Sequence, residues 1–199
     1  MRINEHMSSH MGRQYVEYTT ERIGYKVDIT PGRISYIDPV QLHDSLKDGC
    51  KEASKYHTNI YVYGRHGVGK TSVLKYFGLN SQELFGISEE DVVYMTAADF
   101  IDSVIFGIRN NTLPVFRAAC ERAKLIILDD IDILAEKENS QSELKLLLDS
   151  KKKFVFSGSR PVEDLSLADV ISSRVSRFTI MRIEECIETV TEKCAIKSK

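Results

Sequence analysis

Short apolar runs alternate with amphipathic stretches along most of the chain. Five apolar runs predict strands, at residues 59–63, 91–95, 124–128, 152–156 and 178–183. Around them, apolar residues recur at helical spacing, which predicts helices at residues 39–56, 72–78, 97–109, 113–123, 140–149 and 165–173. Strands that alternate with helices in this way are typical of a parallel sheet with helices on both faces. We therefore expect a doubly wound, three-layer α/β/α fold.

The two ends of the chain differ from its middle. Residues 1–38 are polar and aromatic by turns, so we expect a partly irregular N-terminal segment. Asp38 followed by Pro39 is typical of a helix start, with Asp38 as the cap. We expect residues 39–184 to form one domain and residues 185–199 to open a further helix.

The segment after the strand 59–63 fits the phosphate-loop pattern G-x-x-x-x-G-K-S/T at every position. It reads Gly64-Arg-His-Gly-Val-Gly-Lys70-Thr71 and leads directly into a helical pattern. Glycines permit positive φ and close backbone approach, so successive N–H groups can point at an anion. The helix that follows adds the positive end of its dipole. The predicted nucleotide-binding residues are Gly64, Arg65, His66, Gly67, Val68, Gly69, Lys70, Thr71 and Ser72.

Four side chains predict how ATP and Mg²⁺ would be held. Lys70 supplies a point charge for the β- and γ-phosphates, and Thr71 supplies a hydroxyl for Mg²⁺. Asp129 and Asp130 follow the run 124–128, whose continuous apolarity predicts a central strand. Asp129 fits the metal-side role, and Asp130 fits the orientation of an attacking water.

The order of the strands narrows the class of nucleotide-binding protein. The run 91–95 lies between the phosphate-loop strand and the acidic strand, and a fourth strand ends in Ser157-Gly158-Ser159. This is the layout of ATPases in which a strand with a polar sensor residue sits between the two nucleotide-binding strands. No N-K-x-D guanine-reading motif occurs, which argues against a GTPase. For Asp132 we expect a helix cap or a solvated charge.

Composition and charge limit the remaining possibilities. With 199 residues, 42% of them hydrophobic, the chain is long enough for one α/β domain with a full core. The formal net charge is −2, so any contact with nucleic acid requires a local patch. The run 151–153 of three lysines is a candidate, although a solvated turn is the favoured interpretation. For His57 and His66, which lack a partner at readable spacing, we expect no catalytic role.

The cysteines and the apolar runs indicate the compartment. The four cysteines lie far apart with no C-x-x-C pair, which favours reduced thiols over a zinc site. No apolar run approaches the roughly 20 residues needed to span a bilayer. The N-terminus lacks the apolar segment of a signal peptide. We expect a cytoplasmic protein without a membrane partner.

Several segments together resemble the AAA+ domain of the DnaA replication initiators. They are residues 63–74, 93–95, 110–111, 116–117, 125–131, 140–141 and 159–161. Their order and spacing also agree with that family over residues 61–184, roughly two thirds of the chain. The resemblance implies a P-loop ATPase that acts in DNA replication initiation or its regulation through nucleotide-dependent assembly.

The resemblance also implies roles for single residues near the second half of the site. Arg174 lies in a segment similar to the one that carries the family's arginine finger, which reaches the γ-phosphate bound by a neighbouring subunit. Arg177 is its equal by position. Ser159, or Ser157 two residues earlier, falls at the sensor position, although the family has an acidic residue where Ser159 stands.

Contacts with single-stranded DNA are implied for the helices at residues 97–123. These helices are similar to the family's channel-lining element, and Ile105 matches an apolar DNA contact. Ile105 also belongs to the apolar stripe of its helix, and core packing is the favoured explanation for it. Asn139 stands where the family commonly has a basic contact, which argues against strand binding.

Three functions stay open at this point. The first is an ATPase of the DnaA type, weak alone, that assembles with itself or with a DnaA-like initiator through the arginine-finger face. The second is a regulatory partner of a full-length initiator. The third is a helicase loader or transposition helper of the IstB/DnaC type. We expect no lid domain after residue 184 and no helix-turn-helix domain, so sequence-specific reading of duplex DNA is not expected.

Overall fold

The computed structural model describes residues 9–10, 13–14, 42–56 and 58–184. Its strands are β1 (Ser9–His10), β2 (Arg13–Gln14), β3 (Ile60–Tyr63), β4 (Val92–Thr96), β5 (Leu125–Asp129), β6 (Lys153–Gly158) and β7 (Thr179–Arg182). Its helices are α1 (Asp44–Ser54), α2 (Lys70–Leu79), α3 (Ser81–Phe85), α4 (Ala97–Asn110), α5 (Leu113–Arg122), α6 (Glu138–Leu148) and α7 (Asp169–Val175). Each of the five predicted strands is confirmed to within two residues at either end.

The main sheet is parallel throughout and has the strand order β4-β5-β6-β3-β7. β6 therefore lies between β3, which leads into the phosphate loop, and β5, which leads into the acidic pair. This arrangement confirms the predicted layout. All strands of a parallel sheet have their carboxyl ends on the same side. The phosphate loop, Asp129 and the two serines after residue 156 therefore lie together at that end of the sheet.

Apolar side chains cover both faces of the main sheet. Side chains alternate between faces along a strand, and β3 shows this alternation within its four residues. Ile60 and Val62 face a layer that includes Val73, Leu74 and Phe77 of α2. Tyr61 faces the opposite layer, which includes Phe100, Val104, Phe116 and Leu144 from α4, α5 and α6. The sheet is thus buried between two helical layers, and the α/β/α prediction is confirmed.

Two predicted helix starts are wrong. Leu42 and His43 are not helical, and α1 begins at Asp44 because the His43 ring accepts a hydrogen bond from the N–H of Ser45. Asp38 and Pro39 lie outside the described residues. Residues 165–168 are not helical either, and α7 begins only at Asp169. There, the N–H of Ala168 donates to Oε1 of Gln141 at 2.6 Å, so a contact from α6 replaces the first helical turn.

The predicted division of the chain at residues 38 and 184 stays a prediction. The segments 1–38 and 185–199 lie outside the described residues, apart from β1 and β2, which pair antiparallel. Among the described residues, no helix combines the length and the apolarity required to span a lipid bilayer.

Candidate nucleotide-binding site

The phosphate loop connects the end of β3 to the start of α2. Gly67 and Gly69 have φ angles of 78° and 103°, which non-glycine residues rarely adopt. Gly64 is required for space instead, because a Cβ there would lie 2.9 Å from both Oε2 of Glu184 and Cγ1 of Val68. The loop therefore takes the conformation for which its three glycines were predicted.

Lys70 lies across the phosphate loop that precedes it. Its side chain is buried, and its Nζ donates to the carbonyl oxygens of Gly64 at 3.0 Å and Arg65 at 3.2 Å. The ammonium group thus sits at the centre of the loop and at the N-terminal end of α2, where an anion is favoured. Thr71 follows in the first turn of α2 and is exposed, so its hydroxyl is accessible from solvent.

Asp129 ends β5 with its carboxylate almost fully buried, at 2% exposure. Both of its oxygens accept hydrogen bonds from neighbouring strands. The hydroxyl of Ser157 on β6 donates to Oδ1 at 2.5 Å, and the hydroxyl of Tyr94 on β4 donates to Oδ2 at 3.0 Å. Burial, together with the negative charge of Asp129, raises the pKa of Tyr94, so the tyrosine stays a neutral donor. These two bonds compensate a buried charge that would otherwise be costly.

Asp130 follows with a left-handed backbone, at a φ of 58°. Its N–H donates to Oγ of Ser157 at 2.8 Å, so this one serine contacts both acids. Burial and the neighbouring charge of Asp129 raise the pKa of Asp130, while the positive charges of Lys70 and His66 lower it. The acid therefore lies within electrostatic range of the phosphate loop, as a residue that orients water would have to.

Ser159 is held by a different acid. Its hydroxyl donates to Oδ1 of Asp132 at 2.6 Å, and its N–H lies 2.9 Å from Oδ2 of the same carboxylate. The expectation for Asp132 is therefore wrong, since this side chain is neither a helix cap nor simply solvated. The structure brings Ser157, not Ser159, into contact with the acidic pair. The sensor role of Ser159 stays a prediction.

Tyr61 of β3 crosses β6 next to this site. Its hydroxyl donates to the carbonyl oxygen of Arg160 at 2.7 Å. The ring passes directly over Gly158, where an added Cβ would overlap the hydroxyl oxygen. The phosphate-loop strand is in this way attached to the segment that follows β6.

The two candidate arginine fingers have different surroundings. Nη2 of Arg174 forms an ion pair with Oδ1 of Asp149 at 2.5 Å, and its Nη1 donates to the carbonyl oxygen of Lys145 at 3.2 Å. Arg177 is exposed and forms no ion pair with the described part of the chain. The arginine-finger role of Arg174 stays a prediction, and Arg177 stays its alternative.

Two residues of the site were missed by sequence reasoning. Tyr94 lies within an apolar strand. The sequence pattern alone did not show whether its side chain only packs in the core or also forms a hydrogen bond through its hydroxyl. Glu184 lies just after β7, and its Oε1 accepts from the N–H of Arg65 at 2.8 Å. Burial acts to raise the pKa of Glu184, but hydrogen bonds from the backbone N–H groups of Arg65 and Glu184 and the charges of Arg182 and Arg65 outweigh it, so the pKa lies below its ordinary value.

These residues fit a magnesium nucleotide. Mg²⁺ in nucleotide sites takes one or two protein oxygens and completes its shell with phosphates and water. The hydroxyl of Thr71 and the carboxylate of Asp129 provide that number. No group of three or more metal-binding side chains occurs among the described residues, and a site of this kind does not require one. A Cβ added at Gly67 or Gly69 would meet no atom within 4 Å, so the loop is open at these two residues.

Comparison with known proteins agrees with this geometry. Among curated proteins, the chromosomal replication initiator protein DnaA of Borrelia duttonii is 31% identical over 133 residues, which cover 64% of this chain and 27% of the relative. The chain spans about a quarter to a third of the length of the curated relatives it matches, between 27% for that protein and 34% for DnaA of Treponema pallidum.

Solved structures share the fold. A replication initiator DnaA bound to AMPPCP and single-stranded DNA has a TM-score of 0.59 at 24% identity, covering 70% of this chain and 44% of that chain. AMPPCP-bound DnaA from Aquifex aeolicus has a TM-score of 0.61 at 24% identity, covering 75% and 49%. The family model described as the bacterial DnaA ATPase domain matches residues 43–181. This chain therefore belongs to the bacterial DnaA ATPase-domain family.

Proposed function

We propose that the chain binds ATP with Mg²⁺ and hydrolyses it slowly, in an assembly that serves DNA replication initiation or its control. The observation that carries this proposal is that the Lys70 ammonium and the Asp129 carboxylate both lie at the carboxyl end of the sheet. The Lys70 ammonium lies within the phosphate loop, and Asp129 lies at the end of β5 with both carboxylate oxygens fixed. Family membership and the AMPPCP bound to two related DnaA structures support the choice of nucleotide.

The chain's own residues have separate tasks in this proposal. Backbone N–H groups of the phosphate loop and the ammonium of Lys70 bind the phosphates. The hydroxyl of Thr71 and the carboxylate of Asp129 hold the metal ion, which when bound neutralises charge on the phosphate oxygens. Asp130 orients the attacking water. Ser157 contacts Asp129 and the backbone of Asp130 together, so it fixes the relative position of the two acids.

In this proposal, hydrolysis depends on assembly because a neighbouring subunit supplies the arginine that reaches the γ-phosphate. Arg174 is committed to Asp149 within the same subunit. The exposed Arg177, three residues later, is the better placed of the two to reach a neighbouring subunit. That neighbour is a second copy of this chain or a DnaA-like initiator. An arginine supplied across an interface stabilises charge that develops in the transition state.

Single-stranded DNA is a further proposed ligand, along α4 and α5. Ile105 is half-buried on α4, and Ile108 on the same helix is 45% exposed. An apolar surface of this kind suits bases better than it suits phosphates. One of the related DnaA structures is bound to single-stranded DNA, which supports this proposal for the present chain.

The test of the nucleotide site is the Lys70→Ala variant, measured by calorimetric titration with ATP and Mg²⁺. Loss of a charge-assisted contact of about 1.5–3 kcal/mol predicts an affinity reduced by roughly ten- to a hundredfold. Lys75→Ala, also on α2, is the matched control and should bind ATP like the unmodified chain. Circular dichroism checks that both variants fold. An unchanged affinity in Lys70→Ala would remove the basis of the proposal.

A further inference from the structure

A second concave site lies at the other end of the main sheet, where the strands begin. This basic cavity has a volume of about 590 Å³ and sits at the amino ends of β5 and β6. Its lining includes Asn59, just before β3, and five basic residues: Arg122, Lys124, Lys151, Lys152 and Lys153. Because a strand rises about 3.3 Å per residue, β5 separates the cavity from Asp129 by roughly 15 Å. The nucleotide site and the basic cavity can therefore be occupied at the same time.

The charge of the basic cavity is unlike that of the chain as a whole. Of the described residues in the lining, one is acidic, Glu121, and five are basic, whereas the formal net charge of the protein is −2. Within the described part of the chain, Lys124 is the only one of the five that pairs with a carboxylate, that of Asp91 at 2.7 Å. Among the described residues, the other four cations of the lining therefore have no ion pair with a carboxylate.

Lys152 has a structural task within this lining. Its Nζ donates to the carbonyl oxygens of Glu121 at 2.6 Å and Ala123 at 2.7 Å. These bonds hold the C-terminal end of α5 against the start of β6 and so fix one wall of the cavity. The interpretation of the three lysines at residues 151–153 as a solvated turn is therefore wrong for this residue.

Lys153 points to an anionic ligand most directly. Its side chain is half-buried, and its Nζ lies 5.0 Å from the centre of the Phe85 ring. Burial lowers the pKa of Lys153, which shows that the charged form is disfavoured where it stands. A negatively charged ligand in the cavity would offset that cost. Lys151 and Arg122 are exposed at the rim, where they would meet the same ligand.

We propose that the basic cavity binds backbone phosphates of a nucleic acid strand, independently of base sequence. Several cations around one opening match a ligand with repeated negative charges better than a single small anion. None of the described residues in the lining is aromatic, so they offer no ring on which a base could stack. Contacts would therefore be made to phosphates, which position a strand without reading its sequence. This site is separate from the apolar surface of α4.

The test uses the full 199-residue chain and a fluorescent single-stranded oligonucleotide, with anisotropy measured over a range of salt concentrations. For single strands, the slope of log affinity against log salt is about −0.7 per phosphate contact. The double variant Lys151→Gln/Lys153→Gln should therefore flatten the slope by about 1.4. Lys75→Gln/Lys145→Gln removes two lysines of similar exposure elsewhere and should leave the slope unchanged.

Further variants keep the outcome decisive. If Lys153→Gln impairs folding, Arg122→Gln/Lys151→Gln changes only exposed residues and should flatten the slope equally. Ile105→Ala should weaken binding without altering the slope if α4 contacts bases, so the two DNA proposals fail separately. Equal slopes in the cavity variant and the control would overturn the cavity proposal. So would displacement of the oligonucleotide by a polyglutamate peptide of the same charge, which would indicate an acidic protein segment as the ligand.

Discussion

The hydroxyl of Ser157 donates to Oδ1 of Asp129 at 2.5 Å, across the boundary between β6 and β5. Tyr94 on β4 donates to the other carboxylate oxygen. The carboxylate is therefore fixed from both neighbouring strands. A metal ion that binds there meets an oxygen whose position is already set, so little reorganisation of the protein is required.

Ser157→Ala should lower the free energy of unfolding more than Ser159→Ala does. Removing the Ser157 hydroxyl leaves a buried oxygen of Asp129 with one donor fewer, which costs about 1–3 kcal/mol in the free energy of unfolding. Ser159 bonds an acid at the exposed surface, so its loss should cost no more than about 0.5 kcal/mol. Urea unfolding of both variants measures the difference.

The same pair of variants tests which serine acts in hydrolysis. Because Ser157 also accepts from the N–H of Asp130, Ser157→Ala should lower the ATPase rate of the assembled protein while ATP binding persists. Ser159→Ala should retain most of that rate. A larger loss of activity in Ser159→Ala would instead favour the sensor position predicted from the family pattern.

Arg177→Ala should abolish most of the hydrolysis that depends on protein concentration, without a change in melting temperature. An arginine finger accelerates hydrolysis by about 10³–10⁵-fold in related chemistry. Arg174→Ala should keep that dependence, and loss of its partly exposed pair with Asp149 should cost only about 0.5–1 kcal/mol of stability. ATPase rates across a range of protein concentrations distinguish the two. The reverse pattern would assign the finger to Arg174.

Glu184→Gln should destabilise the fold at neutral pH and not in acid. The folded-state pKa of Glu184 lies below its ordinary value, so its carboxylate stabilises the fold above the unfolded-state pKa of about 4.3. That contribution is lost as the pH falls through the folded-state pKa. We expect a difference of about 2 kcal/mol at pH 7, from hydrogen bonds to a charged group, that shrinks below pH 4.

Chemical denaturation at several pH values measures this difference. Glu90→Gln, at an exposed position on the same protein, is the control and should show no comparable pH dependence. A destabilisation of Glu184→Gln that stays unchanged below pH 4 would mean that side-chain packing, and not charge, accounts for the effect.

The parts of the molecule that follow from local chemistry could be predicted from the sequence. Strand positions depend on apolar runs, and the phosphate loop depends on three glycines and a lysine at fixed spacing, so both were recognisable. The sequence did not show which of the two serines, Ser157 or Ser159, contacts Asp129. Both serines lie at the end of β6, and which of them reaches Asp129 depends on how β6 aligns with β5. Local patterns do not encode that alignment.

The predicted helix starts failed for two different reasons, one local and one long-range. The Asp38-Pro39 pair is a good helix start in isolation, but the ring of His43 caps α1 further along. Gln141 holds Ala168 in an extended conformation from 27 residues away, which delays α7. Glu184 reaches Arg65 across 119 residues. The last two contacts span 27 and 119 residues, so no local window of sequence contains them, whereas the His43 cap is local and was missed.

The overlap between Tyr61 and any side chain at position 158 links two residues that lie 97 positions apart. A residue larger than glycine at position 158 requires the Tyr61 ring to move or to be replaced, because an added Cβ would overlap its hydroxyl oxygen. The two positions are therefore coupled: a substitution at position 158 should cost less stability in a chain that has a smaller side chain at position 61.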